Sequence, residues 1–188
     1  MPMTTTHALV PLAAGLAFAK RPMPWRLIIA ASFAAAAPDL DALSKHFLHI
    51  PPTSIYGHRG AAHSLFMALA AGFVAALSHR RLEVRPLTAG ICIGTAMASH
   101  GLLDMMTDGG LPVAYLWPLS SVRLFADWRP IHSGPVHLAH LFSQAFVRFQ
   151  SELWQLIIPL FALALLFRGL RFARLRWRLR SAARVPSS

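Results

Sequence analysis

Apolar residues run through this chain in blocks, and the breaks between the blocks are of two chemical kinds. One kind is basic; the other carries histidine and aspartate. Residues 4–19 form the first block, with His7 near its start, and give way to the basic turn Lys20-Arg21-Pro22-Met23-Pro24-Trp25-Arg26. Residues 27–37 are alanine-rich and stop at Pro38-Asp39-Leu40-Asp41. A loop over 42–57, broken by Pro51-Pro52, leads through His58-Arg59-Gly60-Ala61-Ala62-His63-Ser64 into an apolar helix over 65–77. Ser78-His79-Arg80-Arg81-Leu82-Glu83-Val84-Arg85 is the second basic turn. Residues 86–106 then make the best transmembrane candidate, because a helical span needs about 20 residues. The first two blocks are short by that measure and predict a helical hairpin shielded by the others or reaching into the interface.

The 86–106 run ends in Ser99-His100-Gly101-Leu102-Leu103-Asp104-Met105-Met106-Thr107-Asp108-Gly109-Gly110. Helical spacing puts His100 and Asp104 one turn apart on one face. Asp108 follows that face until the glycine pair ends the helix. Residues 109–140 are richer in proline and predict an ordered cap or interfacial loop containing His132, His137 and His140. Residues 138–149 read as an amphipathic helix and 153–167 as an apolar one, with Pro159 as a kink point. From 168 to 184 seven arginines alternate with Leu, Phe and Trp. Arg171, Arg174 and Arg178 share a helical face, which suits a basic amphipathic helix on anionic lipid; a disordered basic tail is the alternative. The pattern predicts an all-α fold: a polytopic membrane bundle of about four to five apolar helices. The membrane domain covers 1–167 and the basic tail 168–188.

Composition changes the reading of the charge. The chain is 55% hydrophobic and 13% charged, so its formal net charge of +11 does not mark a soluble nucleic-acid-binding domain. Its cations sit mostly in short blocks between apolar runs and in the tail, where they act as topology signals and contacts to the membrane surface. Nucleic acid is not an expected partner; lipid is. A cleaved signal peptide would carry its cations before the apolar run, whereas Lys20 and Arg21 follow it, so 4–19 reads as mature sequence. Cys92 is the single cysteine, which excludes an intrachain disulfide and a cysteine-rich metal site. It reads as a small buried hydrophobe.

If the basic blocks at 20–26, at 79–85 and from 168 are cytoplasmic, the opposite ends of the apolar runs share the other face. Those ends hold His7, Asp39 and Asp41, His58 and His63, His100 and Asp104, and Glu152. Of the seven acids, only Glu83 lies in a basic block, so the gathering argues for a site. Imidazole and carboxylate suit Zn²⁺, Mn²⁺ or iron. His7, Asp39, Asp41, His63, His100 and Asp104 are the candidate ligands, and His100 with Asp104 is the best-supported pair. Asp39 and Asp41 can face one ion only if the backbone is extended there. Each candidate has a plainer reading: His7 as an interface histidine, the two aspartates as turn markers, Ser64 as a helix-start hydroxyl rather than a nucleophile. Arg59 either pairs with Asp39 or Asp41 or clamps a phosphate. His58 or Asp108 can act as general base, with Asp108 as a supporting residue rather than a ligand. His46 and His49 have no evident partner.

The ordered set of His7, Pro38-Asp39-Leu40-Asp41, His58-Arg59-Gly60-Ala61-Ala62-His63-Ser64, Ser99-His100-Gly101-Leu102-Leu103-Asp104, Trp117-Pro118 and Arg129-Pro130-Ile131 resembles a known family. These are the bacterial and archaeal membrane-bound, metal-dependent hydrolases, also described as LexA-binding, inner-membrane-associated hydrolases. The resemblance covers roughly residues 6–167. Ala62 stands where the family usually has threonine, so any role of that hydroxyl is absent, and Glu152 matches an acid near the start of the last helix. The resemblance implies a multi-pass inner-membrane hydrolase with a divalent metal, zinc or manganese fitting the donors best. A site at the lipid–water boundary suits an ester or phosphoester of a lipid or lipid-linked substrate. The rival expectations are a non-enzymatic metal-binding membrane protein and a regulatory interaction protein acting through the basic tail.

Overall fold

The computed structural model describes residues 4–19, 22–132 and 141–182, the side chains of 45–46, 141–145, 148 and 178–182 excepted. Lys20, Arg21, His137, His140 and Arg184 lie outside the described residues, as do the side chains of His46 and Arg178. The helices are α1 (Thr4–Phe18), α2 (Trp25–Ala36), α3 (Leu43–Phe47), α4 (Leu65–Leu77), α5 (Pro86–Met105), α6 (Leu141–Glu152) and α7 (Ile158–Ala182). Short 3₁₀ turns cover Ala37–Ala42 and Ala61–His63, and a π-helical turn over Leu153–Ile157 joins α6 to α7. No β-strand forms among the described residues; isolated bridges pair Thr107 with Ile131 and Val113 with Leu124.

Local chemistry explains most boundaries. Pro86 opens α5, where a missing N–H costs nothing and φ is already helical. Ser64 caps α4 by accepting the Met67 N–H at 3.2 Å, the helix-start role rather than a nucleophile's. Pro159 stands two residues past the end of the π turn, at the second position of α7; the extra residue in the turn makes room for a ring that would otherwise strike the carbonyl four positions back. The basic segment from Arg168 is not a separate tail through Ala182: α7 continues through it as one helix. Arg168 and Arg171 donate to the Leu16 and Ala17 carbonyls at 3.4 and 2.9 Å, supplying donors to the open C-terminal end of α1. Residues 43–47, within the expected loop, form the short helix α3.

Among the described residues two stretches are long and apolar enough to cross a membrane: Pro86–Met105 and Phe149–Trp177. α1 and α4 are shorter apolar helices. Large apolar side chains such as Phe33, Leu69, Phe73, Leu77 and Ile91 point outward, as a surface solvated by lipid requires. α5 is the centre of the bundle, packed on α4 and α2, and α1 packs on α2 and α7. The α4–α5 contact is close because Gly72 has no side chain: a Cβ there would lie 2.8 Å from the Gly90 carbonyl oxygen. Contacts Ala35–His100, His7–Asp104 and Thr6–Glu152 bring the same ends of these helices together. Arg26 meets Glu83 at 3.0 Å, joining the two basic turns at the opposite end.

Candidate metal centre

α5 supplies His100 and Asp104, both fully buried and one turn apart, as their spacing requires. The turn after α2 supplies Asp39, and the 3₁₀ turn before α4 supplies His63. Gly101 permits that approach: a Cβ on it would sit 2.5 Å from the His63 carbonyl oxygen. The Nε2 atoms of His63 and His100 end up 3.1 Å apart. Asp39 Oδ1 is 3.4 Å from His100 Nε2 and 3.9 Å from His63 Nε2. Asp104 Oδ2 is 3.5 Å from His63 Nε2 and 3.9 Å from His100 Nε2. Ligands about 2.0–2.2 Å from one ion stand roughly 2.8–4.4 Å from each other, depending on the angle. These four side chains can therefore hold a metal ion.

The other ring nitrogens support that fit. His100 Nδ1 lies 2.7 Å from the Ala35 carbonyl oxygen, which can only accept, so Nδ1 carries the proton. His63 Nδ1 faces Asp41 Oδ2 at 3.0 Å. His100 is thus anchored by a hydrogen bond through Nδ1 and His63 stands beside Asp41 as a close charge contact without one; both present Nε2 inward, the arrangement that outer partners impose on metal-binding histidines. Asp39 Oδ1 and Asp104 Oδ1 are buried with no hydrogen-bond partner among the described residues, whereas Asp104 Oδ2 faces the Arg59 Nε. Unsatisfied buried carboxylate oxygens are costly unless a cation faces them.

Asp39 and Asp41 do not act alike. They occupy a 3₁₀ turn, where positions two apart point about 120° away from each other. Asp39 faces the central cluster and also accepts from Thr4 Oγ1 at 2.6 Å. Asp41 faces His63 Nδ1 and His58 Nδ1, the latter at 2.6 Å. Asp41, His58 and His63 form a second group able to hold a metal, sharing His63 with the first. Burial pushes the Asp39 carboxyl up, and its contacts with His100 and Thr4 outweigh that and hold it below the usual carboxylate range. Asp41 is likewise pushed up by burial and held down by His58 and His63. Burial lowers His63, but Asp104 and Asp41 overcome it and raise its pKa to about 9.

Arg59 takes neither of the partners expected from sequence. Its Nε lies 2.9 Å from Asp104 Oδ2, and its guanidinium donates to the Gly109 and Leu111 carbonyls and to Thr107 Oγ1. The side chain is completely buried, so its charge stabilises Asp104 and does not reach out to clamp a phosphate. Its backbone N–H, not its side chain, donates to Asp41 at 3.1 Å. Arg59 holds φ +60°, a left-handed conformation unusual for a side chain of this size. The bond to Asp41 and the Ala114 N–H donated to its carbonyl fix that turn.

His7 stacks on His100 with ring centroids 3.8 Å apart, and its Nε2 is 3.6 Å from Asp104 Oδ1. Neither of its ring nitrogens has a hydrogen-bond partner among the described residues. Asp108 departs from the His100–Asp104 face, because α5 ends at Met105 and Thr107 bridges to Ile131. It pairs with exposed His132 at 2.7 Å instead. Sequence reasoning missed Thr6, which donates to buried Glu152 beside His7, and Arg123, which donates to the His58 carbonyl at 3.0 Å. Neither lies in a recognisable motif; a buried threonine next to a candidate ligand was the only available signal.

The YdjM inner membrane protein family model matches residues 1–175. The Escherichia coli (strain K12) inner membrane protein YbcI is 36% identical over 140 residues, covering 74% of this chain and 80% of the relative. No solved structure matches. A family match over almost the whole chain, together with a relative 36% identical over 74% of it, means that the chain belongs to the YdjM family of inner membrane proteins.

Proposed function

We propose that this protein is a multi-pass inner-membrane hydrolase with a divalent metal centre built from Asp39, His63, His100 and Asp104, with His7 beside them. One observation carries the reading: two histidine Nε2 atoms face each other at 3.1 Å between two buried carboxylates, with His100 Nδ1 bonded to the Ala35 carbonyl and His63 Nδ1 3.0 Å from Asp41. Charge supports it too. Three carboxylates, Asp39, Asp41 and Asp104, stand against the guanidinium of Arg59 once His63 is neutral, as ligation requires, and a divalent cation fills that deficit. Zinc or manganese suits this mixed donor set.

A divalent ion held there would lower the pKa of a bound water and polarise an ester or phosphoryl oxygen. The protein's own residues would do the rest. His58, the most exposed imidazole of the group, accepts a proton from the attacking water while Asp41 fixes its Nδ1–H. Asp41 thereby orients His58 and His63 together, and Arg59 holds Asp104 in place. The position at the end of membrane helices favours an ester or phosphoester of a lipid or lipid-linked substrate. The alternative, a metal centre without turnover, is favoured by one observation: His7, His100 and Asp104 are completely enclosed.

Elemental analysis of the purified protein and of His100→Ala tests the centre. Stoichiometric divalent metal in the wild type, lost in the variant, is expected; metal absent from both overturns the reading. A panel of phospholipids, assayed for released headgroup with the loaded wild type, separates the hydrolase from the metal centre without turnover.

A further inference from the structure

An apolar cavity of about 670 Å³ opens between α1, α2 and α5, within the size range of roughly 300–1,000 Å³ usual for ligand sites. Ala14, Phe18, Ala31, Thr88, Cys92 and Ser99 are among its walls. The walls come within one helical turn of the metal centre. Pro11 lies one turn after His7 on α1, and Ala96 one turn before His100 on α5. Ala31 lies one turn before Ala35, whose carbonyl anchors His100. All three helices that bound the groove therefore lead into the cluster at the same end.

The other end of the groove reaches Met23, Pro24 and Val84 in the basic turns. From Thr88 to Ser99 the helical rise is about 16 Å. That is close to the reach of one acyl chain, which fills half of a bilayer's hydrocarbon core, about 15 Å. α5 is itself long and apolar enough to span. A groove of this length, opening among membrane helices and ending one turn from a polar cluster, matches a lipid tail better than a compact solute.

We infer that this groove holds the acyl chain of a phospholipid whose headgroup reaches the metal centre. The inference rests on the metal reading above and adds where the lipid is held: by its tail in this groove as well as by its head. Chain length then contributes to binding, and water-soluble headgroup esters bind less well than their acylated counterparts.

The test uses the full-length protein in phosphatidylcholine vesicles doped with phosphatidylglycerol carrying a photoreactive diazirine, either near the ester carbonyl or at the chain end. Labelled residues are mapped by mass spectrometry. The expected pattern is ordered: the carbonyl-proximal probe labels around Ala96 and Ser99, and the chain-end probe around Thr88 and Met23. Ala14→Phe and Thr88→Phe put a ring into the groove from exposed wall positions. Each is expected to cut labelling about tenfold, the scale of a moderate overpacking penalty. Reversed order, or labelling no stronger than at the outward-facing Phe73 and Leu77 of α4, overturns the inference. Labelling unchanged in both filled variants overturns it as well. Metal content measured on the same samples separates the two readings. Ordered labelling of a metal-free protein keeps the groove assignment and removes the metal centre; disordered labelling of a metal-loaded one does the reverse.

Discussion

Replacing Arg59 by methionine should destabilise the protein strongly, and more so without metal than with it. The guanidinium is completely buried and sits 2.9 Å from an Asp104 that is also fully buried. Removing one partner of such a pair leaves an uncompensated charge in a low-dielectric interior, at about 3–5 kcal/mol. For a chain of this size, roughly 2–4 °C of melting temperature accompanies each kcal/mol, so a fall of about 6–20 °C is expected. The backbone does not confound the comparison, because methionine and arginine have the same difficulty at φ +60°. Bound metal gives Asp104 a second cationic neighbour. The penalty should therefore shrink by at least about 1 kcal/mol at saturating zinc, a typical coupling between groups sharing a network. Thr107→Val is the control: it removes an acceptor from Arg59 without touching a charge, so its cost should not depend on metal. Melting followed by tryptophan fluorescence in detergent, with and without chelator, supplies the numbers. An Arg59→Met cost below about 1 kcal/mol, the range of an exposed ion pair, would refute the assignment of Arg59 as the counter-ion of Asp104. An equal cost in both metal states would refute the shared site.

Asp41→Asn keeps the shape of the side chain but weakens the anchor on His63 Nδ1; metal affinity should drop about 10–100-fold in a chelator competition, the usual effect of losing an outer partner. A metal-free preparation should lose stability as pH rises from 6.5 through about 9, because His63 is raised over that window and its charged form is favoured by folding. Over the same window metal should bind more tightly with fewer protons released, a trend that calorimetry in two buffers measures directly. Ser64→Ala should cost about 1 kcal/mol through the lost α4 cap yet retain any hydrolytic activity; abolished turnover in a folded variant would restore the nucleophile.

Much of the helical framework was legible in the sequence. The boundaries at Leu65–Leu77 and Pro86–Met105 follow from Ser64 and Pro86, local signals that packing does not override. The continuity of α7 was less visible, because a run of arginines looks like a tail until Arg168 and Arg171 find the open carbonyls of α1, more than a hundred residues earlier. The site divides the same way. Helical spacing was enough to place His100 beside Asp104, since both belong to one regular element. Pro-Asp-Leu-Asp could not be resolved from spacing, because an extended strand and a 3₁₀ turn send alternate side chains in different directions. Arg59 was harder still. Its partner depends on a left-handed residue and on the loop through Gly109 and Leu111 folding back over it. Nothing within ten residues of Arg59 encodes that loop. The candidate ligands were therefore readable by residue type, whereas the residues that neutralise and orient them became visible only when distant segments met.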